Sequence, residues 1–152
     1  MKLTRKSEYG LRGLLYLARN SQKRAVLASE VSSSQNIPPS FLNKIFQKLA
    51  RAGILKSYRG QRGGFALAKR PKEITLRRIV EVLEGPVQIW SGKKKREQSG
   101  RDEISSDSSV AMLSVWHRMQ VKINKMLDNV TIKDLLKKSN SKSGNNNPDE
   151  GN

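Results

Sequence analysis

Cysteine is missing from all 152 residues, and its absence excludes disulfides, thiolate zinc sites and thiolate-held iron–sulfur clusters in the chain as it stands. Histidine is nearly missing. His117 is the only one, so histidine–cysteine catalysis is excluded and a Ser–His–Asp site has a single candidate base. Acidic residues are scarce, 13 against 30 Lys and Arg, and they do not cluster as the carboxylates that bind paired magnesium ions do. An enzyme is therefore not expected. Aromatics make up 5% of the chain, few for a base-stacking surface, and Phe46 and Phe65 fall on inferred core positions. No apolar run approaches the roughly 20 residues that span a bilayer. Nothing at the N-terminus resembles a signal peptide, and the expected location is the cytoplasm, away from membranes.

What the chain has is positive charge, +17 in all. Its placement matters more than its size: residues 1–72 hold sixteen Lys or Arg against Glu8 and Glu30, a net of +14. Such a field attracts polyanions, and phosphate neutralisation supplies affinity that weakens as salt rises. A basic RNA- or ribosome-associated protein fits charge and length as well. An obligate dimer is what separates the two readings, since an RNA binder needs none.

The length allows one domain, or a small domain with an appendage. Thr4 is placed to cap a helix to about Asn20 with Tyr9, Leu14, Leu17 and Ala18 in a buried stripe. A weaker helix over 27–35 carries Leu27, Ala28 and Val31, and Asn36 suits the left-handed turn that closes it. Pro39 fits the first turn of a third helix and Gly53 the position past its end. Thr75 is placed to cap a fourth, with Leu76, Ile79, Val80 and Leu83, stopped by Gly85-Pro86. The globular part is expected to end there. Residues 87–109 read as a flexible loop, rich in serine and charge with little to bury; its run Lys93-Lys94-Lys95-Arg96 reads as a solvated cluster. From Val110 the pattern turns helical again, and Met112, Trp116, Met119, Ile123, Met126, Leu127 and Val130 form an apolar seam that needs a covering surface. That surface is either its own domain or a partner subunit, and a partner subunit is the expected one because the loop detaches the helix from the first core. A short helix to Lys138 follows, and 139–152 read as a disordered tail.

The most informative stretch is Ile54–Ala68, ILKSYRGQRGGFALA. Two short alternating runs flank Gly60-Gln61-Arg62-Gly63-Gly64, and glycine permits the positive φ that a tight reversal needs. It is not a phosphate-binding Walker loop, because the Gly-Lys-Ser/Thr ending is missing and a strand follows where a helix would open. Upstream, Leu42, Ile45, Phe46, Leu49 and Ala52 recur at helical spacing, with polar and cationic residues on other faces. A helix of that kind followed by a basic hairpin is a plausible DNA-reading pair. Ser40, Asn43, Lys44 and Gln47, with Phe41 and Lys48 beside them, are candidates for the major groove. Arg59, Gln61 and Arg62 suit a flanking minor groove or its phosphates, and Lys2, Arg5 and Lys6 the backbone.

Two segments, MKLTRKSEYGLRGLLYLA and IPPSFLNKIFQKLARAGILKSYRGQRGGFALAKRPKEITLRRIVEVLEG, resemble the Rrf2 family of winged helix-turn-helix regulators, the IscR-like proteins. The resemblance covers residues 1 to about 85 strongly and continues more weakly through Trp116 to Leu136. It implies a mainly α fold with a small β-hairpin wing over 1–86 and a dimerisation helix within 110–138. It also implies a homodimeric transcription factor, usually a repressor, on a roughly palindromic double-stranded operator. Many members read Tyr-Leu-Glu-Gln where this chain has Phe41-Leu42-Asn43-Lys44, so operator preference does not carry over. Many also hold an iron–sulfur cluster through three loop cysteines. Here the corresponding positions offer only serines: Ser91, Ser99 and one of Ser105, Ser106, Ser108 or Ser109. A serine hydroxyl is a poor iron ligand, so no stable cluster is expected. Two readings stay open: a cysteine-free branch that senses through a bound protein or metabolite or not at all, or a sequence in which serine replaces the ligating cysteines of its parent.

Overall fold

Helix boundaries follow local chemistry. The computed structural model describes residues 3–20, 24–89 and 107–142, and in it α1 spans Arg5–Asn20, α2 Ala28–Gln35 and α3 Pro39–Arg51. The Thr4 hydroxyl accepts the Lys6 amide at 3.2 Å, satisfying one of the donors that a helix start leaves without a partner. Asn36 closes α2 at φ 51°, ψ 53°, in the left-handed region that asparagine tolerates. Pro39 stands in the first turn of α3, where its missing amide hydrogen costs nothing.

After α3 the chain reverses at Gly53, φ 71°, into β1 (Leu55–Tyr58), which pairs antiparallel with β2 (Gly64–Leu67), Leu55 opposite Leu67 and Tyr58 opposite Gly64. Val26, in the α1–α2 connection, adds one bridge to the hairpin through both hydrogen bonds with Phe65, at 2.9 and 2.8 Å. That approach depends on Gly64. A Cβ there would lie 2.4 Å from the Val26 carbonyl oxygen. A single 3-10 turn, Pro71–Glu73, leads to α4 (Leu76–Glu84), whose first turn is capped by the Thr75 hydroxyl accepting the Arg78 amide at 3.3 Å.

The core gathers Leu14 and Leu17 of α1, Val31 of α2, Leu42, Phe46 and Leu49 of α3, and Ile79 and Leu83 of α4, all fully buried. Two glycines let α1 cross its neighbours closely. A Cβ at Gly10 would meet Leu83 Cδ1 at 2.5 Å, and one at Gly13 would meet Phe46 Cε1 at 2.7 Å. Gly13→Val is therefore expected to lower stability by about 1–3 kcal/mol through overpacking, even though valine forms helix better than glycine. A fall in thermal midpoint with unchanged helicity at low temperature checks this.

The last two helices are α5 (Asp107–Asp128) and α6 (Ile132–Lys142), and here the sequence expectation needs correction. The globular part does not end near residue 86. Ile132 is fully buried in the same cluster as Leu14 and Phe46. Its amide donates to the Ile74 carbonyl at 3.0 Å, and the Leu76 amide donates to Val130 at 2.7 Å. Helix α6 thus closes the core built by α1–α4, and only α5 lies apart from it in character. A reciprocal cap starts α6: the Thr131 hydroxyl and amide donate to Asp134 Oδ2 at 2.6 and 2.9 Å, and these bonds, the hydroxyl's first, hold the Asp134 carboxyl below its ordinary range. Because α6 runs to Lys142, the first four residues of the expected tail are helical; the remainder lies outside the described residues. Of the expected loop, 87–89 are tied down and 107–109 begin α5, while 90–106 lie outside the described residues.

Candidate nucleic-acid interface

Helical periodicity splits α3 into two arcs. Leu42, Ile45, Phe46 and Leu49 are buried, and Ser40, Asn43, Lys44 and Gln47 are exposed on the opposite side. Arg51 completes that outer arc. It was not among the expected contacts, yet the line 40–44–47–51 follows from 3.6 residues per turn alone. Neither α3 nor the hairpin carries an acidic residue. The two glutamates of residues 1–72 face arginines instead: Glu8 lies 3.5 Å from Arg12, and Glu30 2.9 Å from Arg24.

The hairpin tip is closed by the Gly63 amide on the Gly60 carbonyl at 2.9 Å, with Gly60 at φ 101°. Arg59, Gln61 and Arg62 are all exposed there. Two further residues accompany them. Register pairs Leu55 with Leu67, Lys56 with Ala66 and Tyr58 with Gly64, and only Leu55 of β1 is buried; alternation along the strand turns Lys56 and Tyr58 to the side opposite Leu55. Both are exposed, Tyr58 to 49%. Period-two alternation within β1 was the signal that could have found them.

Three expected contacts have other partners. Phe41 stacks edge-on against Tyr9, ring centroids 5.7 Å apart, and the Arg12 guanidinium lies 5.9 Å from the Tyr9 ring while bonding the Gln35 carbonyl. The Lys6 and Lys48 ammonium groups both donate to the Leu83 carbonyl, at 3.1 and 3.3 Å. They place positive charge at the C-terminal end of α4, where the helix dipole favours it. Arg5 is exposed at the first position of α1, and Lys2 lies outside the described residues.

Beside those lysines, Glu84 Oε1 accepts the Ser7 and Thr4 hydroxyls, each at 2.6 Å, and the Thr4 amide at 3.2 Å. Burial pushes this carboxyl up, but the bonds from Ser7 and Thr4 and the charge of Lys6 outweigh it and bring its pKa from the ordinary 4.5 to about 2. The folded state thus binds this proton less readily than the unfolded chain. Its contribution is complete above pH 4.5 and is lost as pH falls toward 2. Glu84→Gln should remove about 1–2 kcal/mol, discounted for partial solvent exposure, and should flatten stability against pH in that window. Denaturant midpoints measured at several pH values read both effects.

Helix α5 also has two sides, where a single seam was expected. Met112 and Met119 are exposed to 57% and 42%, and Met126 to 69%. Val115, absent from the expected seam, is exposed beside them. Trp116, Ile123, Leu127 and Val130 are half-buried. The inward side carries a polar clasp. Gln120 Nε2 donates to the Val87 carbonyl at 2.6 Å, and its Oε1 accepts the Ile89 amide at 2.9 Å. Arg77 reaches Glu81 and Asp128, both at 2.9 Å, and so ties α4 to the end of α5.

Of the serines at possible cluster positions, Ser91, Ser99, Ser105 and Ser106 lie outside the described residues, and Ser108 and Ser109 are described only as backbone in the first turn of α5. Among the described residues no group of three His, Asp or Glu side chains is placed to hold a metal ion, and no helix is long and apolar enough to cross a membrane.

A family model described as "Rrf2: Iron-dependent Transcriptional regulator" matches residues 3–138. An HTH-type transcriptional regulator of Synechocystis sp. is 37% identical over 135 residues, 89% of this chain and 87% of that protein. Among solved structures, CymR, the global cysteine regulator of Bacillus subtilis, superposes with a TM-score of 0.72 at 27% identity, covering 90% of this chain and 97% of that one. The IscR of T. potens gives 0.67 at 26% identity, over 97% and 93%.

Proposed function

The chain belongs to the Rrf2 family of transcriptional regulators, and from that premise we propose that it is a homodimeric, sequence-specific repressor that reads duplex DNA with α3 and grips it with the β1–β2 hairpin. One observation carries the reading: a continuous exposed arc of Ser40, Asn43, Lys44, Gln47 and Arg51 stands on a wholly buried apolar arc, so the reading side chains project from a rigid base. A helix about 10–12 Å across fits a major groove about 12 Å wide. Asn43 and Gln47 have the amide geometry that pairs bidentately with adenine, and Lys44 and Arg51 suit guanine or phosphate. Arg59, Gln61 and Arg62 reach the neighbouring minor groove or its phosphates, with Lys56 and Tyr58 alongside.

Dimerisation through the exposed side of α5 duplicates this reader, and two half-sites about one helical turn or more apart follow from it. A bound effector would act by favouring one relative tilt of the two heads. A thiolate-held cluster does not suit the residues present. The chain has no cysteine, and serine hydroxyls are protonated, hard donors where such clusters take thiolate.

Arg59→Ala and Arg62→Ala separate grip from reading. Each is expected to weaken operator and random duplex by similar factors and to reduce the slope of log affinity against log salt by about 1. Fluorescence anisotropy across a salt series measures it. The reading as a whole is tested by gel shift at physiological salt, where equal affinity for genomic operators and random duplex would remove the specificity.

A further inference from the structure

The chain holds four methionines, Met1, Met112, Met119 and Met126, and no cysteine. Apart from the first residue, all of them stand seven apart on α5. Seven residues are close to two turns, about 10.5 Å of rise, so the three thioethers form a ladder along one side of the helix. With exposures of 57%, 42% and 69% in the single subunit, all three side chains are open to solvent. Val115 shares that side; Trp116 and the Gln120 clasp turn toward the helix's own chain, and Val110, Leu113 and Val121 are exposed on other sides.

We propose that this methionine ladder is an oxidation switch: hydroperoxide converts the thioethers to sulfoxides and thereby disables the dimer. The inference rests on the dimer reading given above. In each step the sulfur lone pair attacks the distal peroxide oxygen, the O–O bond breaks and an S–O bond forms. With hydrogen peroxide, water leaves. Sulfur is oxidised by two electrons and the peroxide is reduced by two, so no further reactant is needed. Methionine packs as a flexible apolar side chain; its sulfoxide is polar and chiral, and spoils methionine-rich interfaces. The dimer covers the ladder, so oxidation acts on dissociated subunits and keeps them apart, and it proceeds more slowly as protein concentration rises. Sulfoxide reductases reverse the step.

The test uses the full chain, treated with hydrogen peroxide and mapped by mass spectrometry. The untreated protein is first weighed by light scattering. A monomer at that point overturns the dimer reading, and this inference with it. Given a dimer, oxidation at positions 112, 119 and 126 is expected to raise its dissociation constant on the order of 100-fold, the burial cost of unsatisfied polar groups, and reductase treatment is expected to restore it. The triple variant Met112→Leu, Met119→Leu, Met126→Leu, compared with itself before and after peroxide, is expected to change in neither dimer constant nor operator affinity. A dimer constant unmoved by complete oxidation of the three, or an equal loss in the leucine variant, overturns the switch.

Discussion

Met112→Glu, Met119→Glu and Met126→Glu, made together, are expected to give a folded monomer whose operator affinity is lower on the order of 1,000-fold. Folding should survive, because all three side chains are exposed in the single subunit and charges there need no desolvation. The dimer should not, because six carboxylates would face one another across a surface that the wild type makes apolar. The affinity loss comes from avidity. Joining two reading heads makes the second contact intramolecular, and that advantage is commonly 100- to 10,000-fold. Light scattering reads the mass, circular dichroism the helicity and anisotropy the affinity. A folded variant that remains dimeric would move the interface away from this side of α5.

Ile132→Ala should cost about 2–5 kcal/mol, a large part of the roughly 5–15 kcal/mol by which a domain of this kind is stable. The side chain is fully buried with Leu14 and Phe46. The loss should appear as cooperative unfolding of the whole reading domain and not as fraying of a C-terminal appendage. Val110→Ala, at a position exposed to 60%, should stay within about 0.5 kcal/mol of wild type. Denaturant titration followed by circular dichroism distinguishes the cases. Near-equal midpoints for the two variants would mean that α6 contributes nothing to the N-terminal core.

Local signals carried most of the reading domain. Thr4, Asn36, Pro39, Gly53 and Thr75 each mark a boundary because their chemistry at a helix end or turn is specific, and each boundary is where the sequence puts it. The two arcs of α3 were legible for the same reason: periodicity is a property of a single helix. What escaped was long-range. Nothing in the run Thr131–Leu136 says that Ile132 returns to the core formed between Leu14 and Leu83. The single bridge between Val26 and Phe65 is too short to leave any strand pattern. Lys6 and Lys48 look like free surface cations in sequence, and only the packing of α1, α3 and α4 brings both to the Leu83 carbonyl.

The seam of α5 was half legible. Residues spaced three and four apart from Met112 to Leu127 span about 100° of the helix, the width of one face, so periodicity does not divide them; Trp116, Ile123 and Leu127 are half-buried while the methionines and Val115 stay exposed. Gln120 hid the inward side. A polar residue at the centre of an inward face reads as solvent-facing until its two bonds to Val87 and Ile89 give it backbone partners.

Selection from a random duplex library, performed with the full chain at physiological salt, tests the twofold reader most directly. The account predicts an enriched, roughly palindromic site with half-sites about one helical turn or a small multiple apart, bound at least about 1,000-fold more tightly than random duplex. It further predicts that Asn43→Ala with Gln47→Ala brings affinity for that site close to the random level while leaving random binding intact. Enrichment of no sequence, or of a site whose preference survives the double substitution, would contradict it.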